Sequence, residues 1–151
     1  MLNINIVCVG KLKEQFWKDA EKEYSKRLTK FCNLKIIEID DVNQGEMLKD
    51  LEIEGKAILN QIKGKTYLLA IKGKEYSSED FAEELENLKL NNSQISFVIG
   101  GSNGVSNDVV KKIPNKISFG KVTYPHNLAR IILLEQIYRA FMINSGSKYH
   151  K

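Results

Sequence analysis

The sequence predicts an α/β fold: a mostly parallel sheet with helices on both faces. Short apolar runs recur at 4–9, 34–39, 67–71, 94–99 and 116–119. Segments whose apolar residues fall three and four apart, the helical period, lie between them. Strands that alternate with helices are joined by crossovers, and crossovers make parallel neighbours.

Ile4–Val9 reads as a buried strand ended by Gly10. A helix over 13–31 places Phe16, Trp17, Ala20, Tyr24, Leu28 and Phe31 on one stripe. Residues 34–39 give a second strand, and Asp40-Asp41 opens a polar loop. A weaker helix over 46–62 carries Met47, Leu51, Ile58 and Ile62, with an unfavourable Gly55 inside. The third strand, Tyr67–Ile71, is expected to end before Gly73. Ser77 or Ser78 then caps a helix whose first turn holds Glu79 and Asp80, where the helix dipole favours acids. Phe81, Ala82, Leu85 and Leu88 form its apolar side. Strand 94–99, a short helix over 105–113 and strand 116–119 follow, and Pro125 opens a last helix running to Asn144.

A length of 151 residues suits one domain, 1–151, with a sizeable core. The apolar fraction of 42% and charged fraction of 28% are those of a globular chain rather than a disordered one. No apolar run approaches the roughly 18 residues of a membrane span. The opening Met1–Asn5 lacks the basic start and apolar core of a secretory signal, so the cytoplasm is the expected compartment. Cys8 and Cys32 have neither a metal nor a redox spacing and read as small structural residues, and no metal is expected.

The net charge of +4 conceals an asymmetry. Val109–Lys151 holds eight basic residues against the single acid Glu135, a balance of +7, which leaves −3 for residues 1–108. Such concentration points to a polyanion, nucleic acid above all, or else to a solvated basic face.

Two segments carry the candidate chemistry. Phe97-Val-Ile-Gly-Gly-Ser-Asn-Gly104 runs from an apolar strand into glycines, which bring backbone N–H groups close to a ligand or simply make a tight turn. It matches neither the dinucleotide fingerprint nor the P-loop. Phe119-Gly-Lys-Val-Thr-Tyr-Pro125 carries apolar side chains through a loop; they need a cover, either a flat ligand ring or another loop.

The last helix is apolar on most sides, with Asn127, Arg130, Glu135, Gln136 and Arg139 scattered around it. A helix of that kind is buried on most sides, and a second subunit can supply the cover, so a homodimer is expected. Glu135 and Arg139 have the spacing of a helical ion pair. The tail Ser145-Gly-Ser-Lys-Tyr-His-Lys151 reads either as a frayed end or as a polar arm turning at Gly146.

The Phe97–Gly104 turn, the Phe119–His126 segment, Leu134-Glu-Gln-Ile-Tyr-Arg-Ala-Phe141 and the terminal Tyr149-His150-Lys151 resemble the RlmH type of SPOUT methyltransferases, the ribosomal large-subunit pseudouridine N3-methyltransferases. Ile6–Lys13, with Phe16-Trp17 after it, fits the same family, and the likeness spans nearly the whole chain. The region Asp40–Glu46 is shorter than the family's.

The resemblance implies a SPOUT fold with a C-terminal trefoil knot, which elements read one by one cannot reveal because knots are so rare. It also implies a homodimer whose interface completes the active sites, and S-adenosylmethionine as methyl donor. By motif, Leu69, Gly100, Phe119, Gly120, Lys121, Val122, Thr123 and Tyr124 are the expected cofactor contacts. The implied acceptor is N3 of a pseudouridine in helix 69 of 23S rRNA, met within the ribosome. That nitrogen must lose an imide proton. His126 or His150 can take it, or Arg139 and the tail can steady the anion while water does; Arg139, Tyr149 and His150 are the favoured group. The competing functions are methylation of another rRNA or tRNA base, non-catalytic ribosome binding, and a phosphate-binding hydrolase, for which no nucleophile–base pair is present.

Overall fold

The computed structural model describes residues 1–151. In order, its elements are β1 (Leu2–Val9), α1 (Gln15–Leu28), β2 (Cys32–Ile39), α2 (Met47–Gln61), β3 (Lys65–Glu75), α3 (Ser78–Asn91), β4 (Gln94–Ile99), α4 (Asn107–Lys112), β5 (Asn115–Ser118) and α5 (His126–Asn144). The strands form one sheet in the order β2-β1-β4-β3-β5, and every pairing is parallel. Helices cover both faces. The central strands β1 and β4 are therefore buried almost throughout, whereas the edge strand β2 is half open.

Successive strand residues point to opposite faces, and two cores result. Ile4, Ile6, Phe97 and Ile99 pack with Leu28 of α1, Phe81 and Leu85 of α3, and Leu133, Leu134 and Ile137 of α5. On the other face Val7, Val9, Leu68 and Val98 meet Ile58 of α2 and Val109 of α4. The chain thus leaves β3 for one face and β4, its neighbour, for the other. In open α/β sheets such a divergence leaves a crevice beyond the carboxyl ends of the strands.

Several sequence expectations need correcting. Helix α1 starts two residues later than predicted and stops three earlier, where Phe31 N–H turns back to the Leu28 carbonyl. Its residue Phe16 is 62% exposed, outside the core, against the ring of Trp17. Met47 of α2 is exposed as well. Strand β3 does not end at Ile71: it continues through Gly73 to Glu75, with its pairing to β5 interrupted between Leu69 and Lys74. Gly73 is there because a Cβ would sit 2.7 Å from the Ile117 carbonyl carbon. Phe119 lies past the end of β5, and Pro125 is the N-cap of α5 rather than its first residue.

Gly55 has a packing reason. Within α2 it faces Ser106 and Val109 so closely that any side chain would collide with Ser106 Oγ. Helix propensity is given up for close approach of two helices. Asp50 and Glu54, also buried in α2, accept from the backbone N–H groups of Gln44 and Val42 and so hold the short β2–α2 loop.

Candidate active site

At the carboxyl ends of β3, β4 and β5 lies a cleft of about 640 Å³. Three segments line it: Leu69–Ile71 of β3, the Ile99–Val105 turn, and the loop and helix start from Phe119 to Ala129. The volume is that of a cofactor site. Its walls are apolar where Leu69, Ile99, Val105 and Phe119 meet, and backbone where the glycines lie.

Each wall has a local cause. The β3–β5 interruption lifts residues 70–73 out of the ladder and turns Ile71 toward the cleft, a common use of a bulge. Ser118, 4% exposed, ties two walls together: its hydroxyl lies 2.8 Å from the Ile71 carbonyl oxygen and donates to it, while accepting from Gly120 N–H at 3.1 Å. Gly104, at φ +80°, closes the glycine turn through its N–H to the Gly101 carbonyl at 3.0 Å. Gly100 keeps an ordinary φ; what excludes a side chain there is space, since a Cβ would lie 2.8 Å from Val105 Cγ1 and 2.9 Å from the Gly104 oxygen.

The start of α5, which brings His126 and Ala129 into the cleft, is anchored by Arg130. Its side chain is 1% exposed. One guanidinium nitrogen meets Glu38 of β2 at 2.8 Å and Glu21 of α1 at 3.0 Å; the other donates to the Gly10 carbonyl at 3.1 Å. Gly10 (φ +93°) in turn lies against His126. Beside Arg130, burial pushes the Cys8 thiol up to about 12. Sequence reasoning missed this anchor because nothing in an apolar helix marks which arginine turns inward.

The far end of α5 holds a second cluster. Glu135 Oε1 accepts from Arg139 Nε at 2.6 Å, Tyr149 stacks on the guanidinium at 4.9 Å, and Arg139 Nη1 lies 3.0 Å from His150 Nδ1. His150 Nε2 reaches Glu79 on α3. These partners assign the tautomer: Nδ1 accepts from Arg139, and Nε2–H donates to the carboxylate. That hydrogen bond holds the Glu79 carboxyl below its ordinary pKa; Glu135, as hydrogen-bond partner, raises Arg139, and burial raises Tyr149. The tail is folded back onto α5 and α3 rather than frayed.

Of the expected cofactor contacts, Leu69, Gly100, Phe119, Gly120, Val122, Thr123 and Tyr124 line the cleft, while Lys121 is exposed beside it. Leu69 lies within β3. His126 is in the cleft wall. Arg139 follows it by thirteen residues, about 20 Å along the helix axis, so Arg139, Tyr149 and His150 form a group apart from the cleft of their own chain. Ala70, Ile71, Gly101, Ser102, Val105, Pro125 and Ala129 also line it. The glycine motif pointed toward Gly101 and Ser102; no sequence signal marked Ala70 or Ile71, because the bulge that exposes them is made by pairing with β5.

An adenosyl cofactor fits such a cleft. Apolar walls suit a purine, and Gly100 and Gly101, where a Cβ would press on Val105, Gly104 or Val9, keep the turn's backbone bare for hydroxyls or a carboxylate. Fold and site together define an α/β protein that takes its ligand at the carboxyl edge of a parallel sheet.

The family model described as predicted SPOUT methyltransferase matches residues 2–150, and the chain belongs to that family. The Ribosomal RNA large subunit methyltransferase H of Lactobacillus gasseri is 56% identical over 159 residues, covering 99% of this chain and 100% of that protein. The protein of the same name from Lactobacillus helveticus is 54% identical with the same coverage. A solved structure, a probable methylase family protein from Haemophilus influenzae Rd KW20, matches with a TM-score of 0.60 over 98% of this chain and 70% of that one; at 11% identity the likeness is one of fold. No helix is long and apolar enough to cross a membrane.

Proposed function

We propose that this chain is an S-adenosylmethionine-dependent methyltransferase acting on N3 of a pseudouridine in helix 69 of 23S rRNA. The observation that carries the reading is the meeting of Leu69, Gly100 and the Phe119–Tyr124 loop around one cleft, in a chain similar along its whole length to proteins named ribosomal RNA large subunit methyltransferase H. Residues 1–151 act as one catalytic domain in the cytoplasm. The reading includes a C-terminal trefoil knot, supported by the route of the chain: β5 adds outside β3 at the sheet edge, and α5 then returns to pack on α1 and α3.

Leu69, Phe119, Val122 and Tyr124 would enclose the adenine of a bound cofactor, and backbone groups at Gly100, Gly120 and Thr123 would hold its polar parts, with Lys121 beside them. Bound there, the cofactor supplies an already activated sulfonium methyl group. The chain's own work is then positioning, which is worth several orders of magnitude in rate. His126 stands in the cleft wall as one candidate for the imide proton. Arg139, Tyr149 and His150 are the acceptor-side group, steadying the negative charge that develops as N3 loses its proton. With Nε2–H donated to Glu79, His150 has only the Nδ1 lone pair to take a proton, and that is free only once the Arg139 contact opens.

The separation of about 20 Å along α5 supports a homodimer in which the tail of one copy serves the cleft of the other. Ile131, Ile132 and Tyr138 of α5 remain half-buried, as a further cover requires.

The test uses ribosomes from a strain lacking the gene, with methylation located by mass spectrometry of the rRNA and cofactor binding followed by calorimetry. Deleting Tyr149–Lys151 abolishes methylation while the protein still dimerises. Full methylation by the truncated protein refutes the acceptor-side assignment, and an intact protein without adenosylmethionine binding refutes the function.

A further inference from the structure

The mouth of the cleft carries charge that the sequence assigned elsewhere. Part of the basic charge in Val109–Lys151 is engaged internally. Arg130 is buried on Glu21 and Glu38, Arg139 is held by Glu135, Lys112 pairs with Asp108, and Lys116 donates to the carbonyls of Val110 and Ile113 at the end of α4. Meanwhile Lys72 and Lys74, from the net-acidic part of the chain, stand exposed at the end of β3 with no ion-pair partner. Lys74 Nζ rests 4.7 Å above the Tyr76 ring, leaving its charge open to solvent. Lys121, between the cleft-lining Gly120 and Val122, is exposed and without an ion-pair partner too.

Next to Lys72 and Lys121 in the chain are two apolar side chains that both line the cleft and face solvent: Ile71, 51% exposed, and Val122, 59% exposed. Ser118 joins the two segments through the Ile71 carbonyl and Gly120 N–H, so rim and cleft wall are one connected surface. Glu75, the neighbouring acid, lines the adjacent smaller cleft with Tyr76 and Ser78 and pairs with none of the lysines.

We infer that this rim, Lys72, Lys74 and Lys121 around Ile71 and Val122, is the docking surface for the single-stranded RNA that carries the acceptor base. The inference rests on the methyltransferase reading and deepens it. Separated cations follow a phosphate backbone, and exposed aliphatic groups beside them give an unstacked base a surface to lie on as it approaches the methyl donor. Recognition therefore comes in part from β3, not from the C-terminal third alone.

The experiment compares wild type with a Lys72→Gln/Lys74→Gln protein; Lys121 is left in place because it borders the cofactor site. A Lys30→Gln/Lys63→Gln/Lys65→Gln protein, altered at exposed lysines near the amino ends of the strands, is the control. Adenosylmethionine affinity is measured on the free protein, and KM for undermethylated ribosomes across a series of KCl concentrations. The rim variant binds adenosylmethionine like wild type. Its KM for ribosomes rises about tenfold, and the slope of log KM against log salt falls by about 1.4, two phosphates at about 0.7 each for single strands. The control moves neither quantity. An unchanged KM and slope in the rim variant, or an equal change in the control, overturns the inference and leaves the enzyme reading intact. A wild-type protein that fails to bind adenosylmethionine overturns both.

Discussion

Replacing Ser118 by alanine deletes one hydroxyl and separates two walls of the cleft. In the native structure that hydroxyl donates to the Ile71 carbonyl at 2.8 Å and accepts from Gly120 N–H at 3.1 Å. Ser118 is buried, so water is poorly placed to replace either contact. A net loss of about 1 kcal/mol per hydrogen bond gives about 2 kcal/mol for the pair. For a chain of this size that lowers Tm by about 4–8 °C, measured at fixed protein concentration. Ordering residues 70–73 and 119–122 then falls to the bound cofactor. An ordering cost of about 1.4 kcal/mol weakens adenosylmethionine binding about tenfold. Scanning calorimetry reads the first effect and titration calorimetry the second. A Tm within about 1 °C of wild type and an affinity within about twofold would refute the claim that this hydroxyl holds the cleft together.

Three further outcomes are expected. Arg130→Met removes the partner of Glu21 and Glu38; because both carboxylates keep some solvent contact, the loss is near the lower end for a broken buried pair, about 3 kcal/mol, and a urea midpoint unchanged from wild type contradicts the anchor. Gly100→Ala places a Cβ 2.8 Å from Val105 Cγ1, so a folded protein with at least about tenfold weaker cofactor binding is expected; wild-type affinity there means the turn does not wall the cofactor site. Burial raises the thiols of Cys8 and Cys32 to about 12 and about 11, so at pH 8 the native protein leaves a disulfide reagent almost unreacted until denaturant is added. Both shifts are upward in the folded state, so their stabilising effect is complete below pH about 8.5, where unfolded thiols begin to ionise, and is lost as pH rises toward 11–12. Rapid labelling of the native thiols at pH 8 rejects this burial.

Particular residues show what each level of description can reach. The strand at 94–99 is predicted to the residue, because Ile95, Phe97, Val98 and Ile99 in so short a segment suit a strand covered on both faces. Ser77 was one of two expected caps, and the structure selects it through its bond to Asp80 N–H. By contrast, Gly73 read locally as a stop and Gly55 as a flaw. Both are places where another segment comes too close for a Cβ. Arg130 read as one of several scattered polar residues, and its counterions lie 92 and 109 positions away in the chain.

The α/β alternation, the parallel sheet, the glycine turn and, through resemblance, the family are legible in the order of residues alone. These depend on periodicity and motif, which are local properties of the chain. The folded contacts fix where the cleft opens, that Ile71 stands in its wall, that α5 is held by a buried arginine, and that the tail lies folded at the opposite end of α5. Each of those depends on contacts between residues far apart in sequence. No local pattern encodes such a contact, because its energy exists only when the two segments meet.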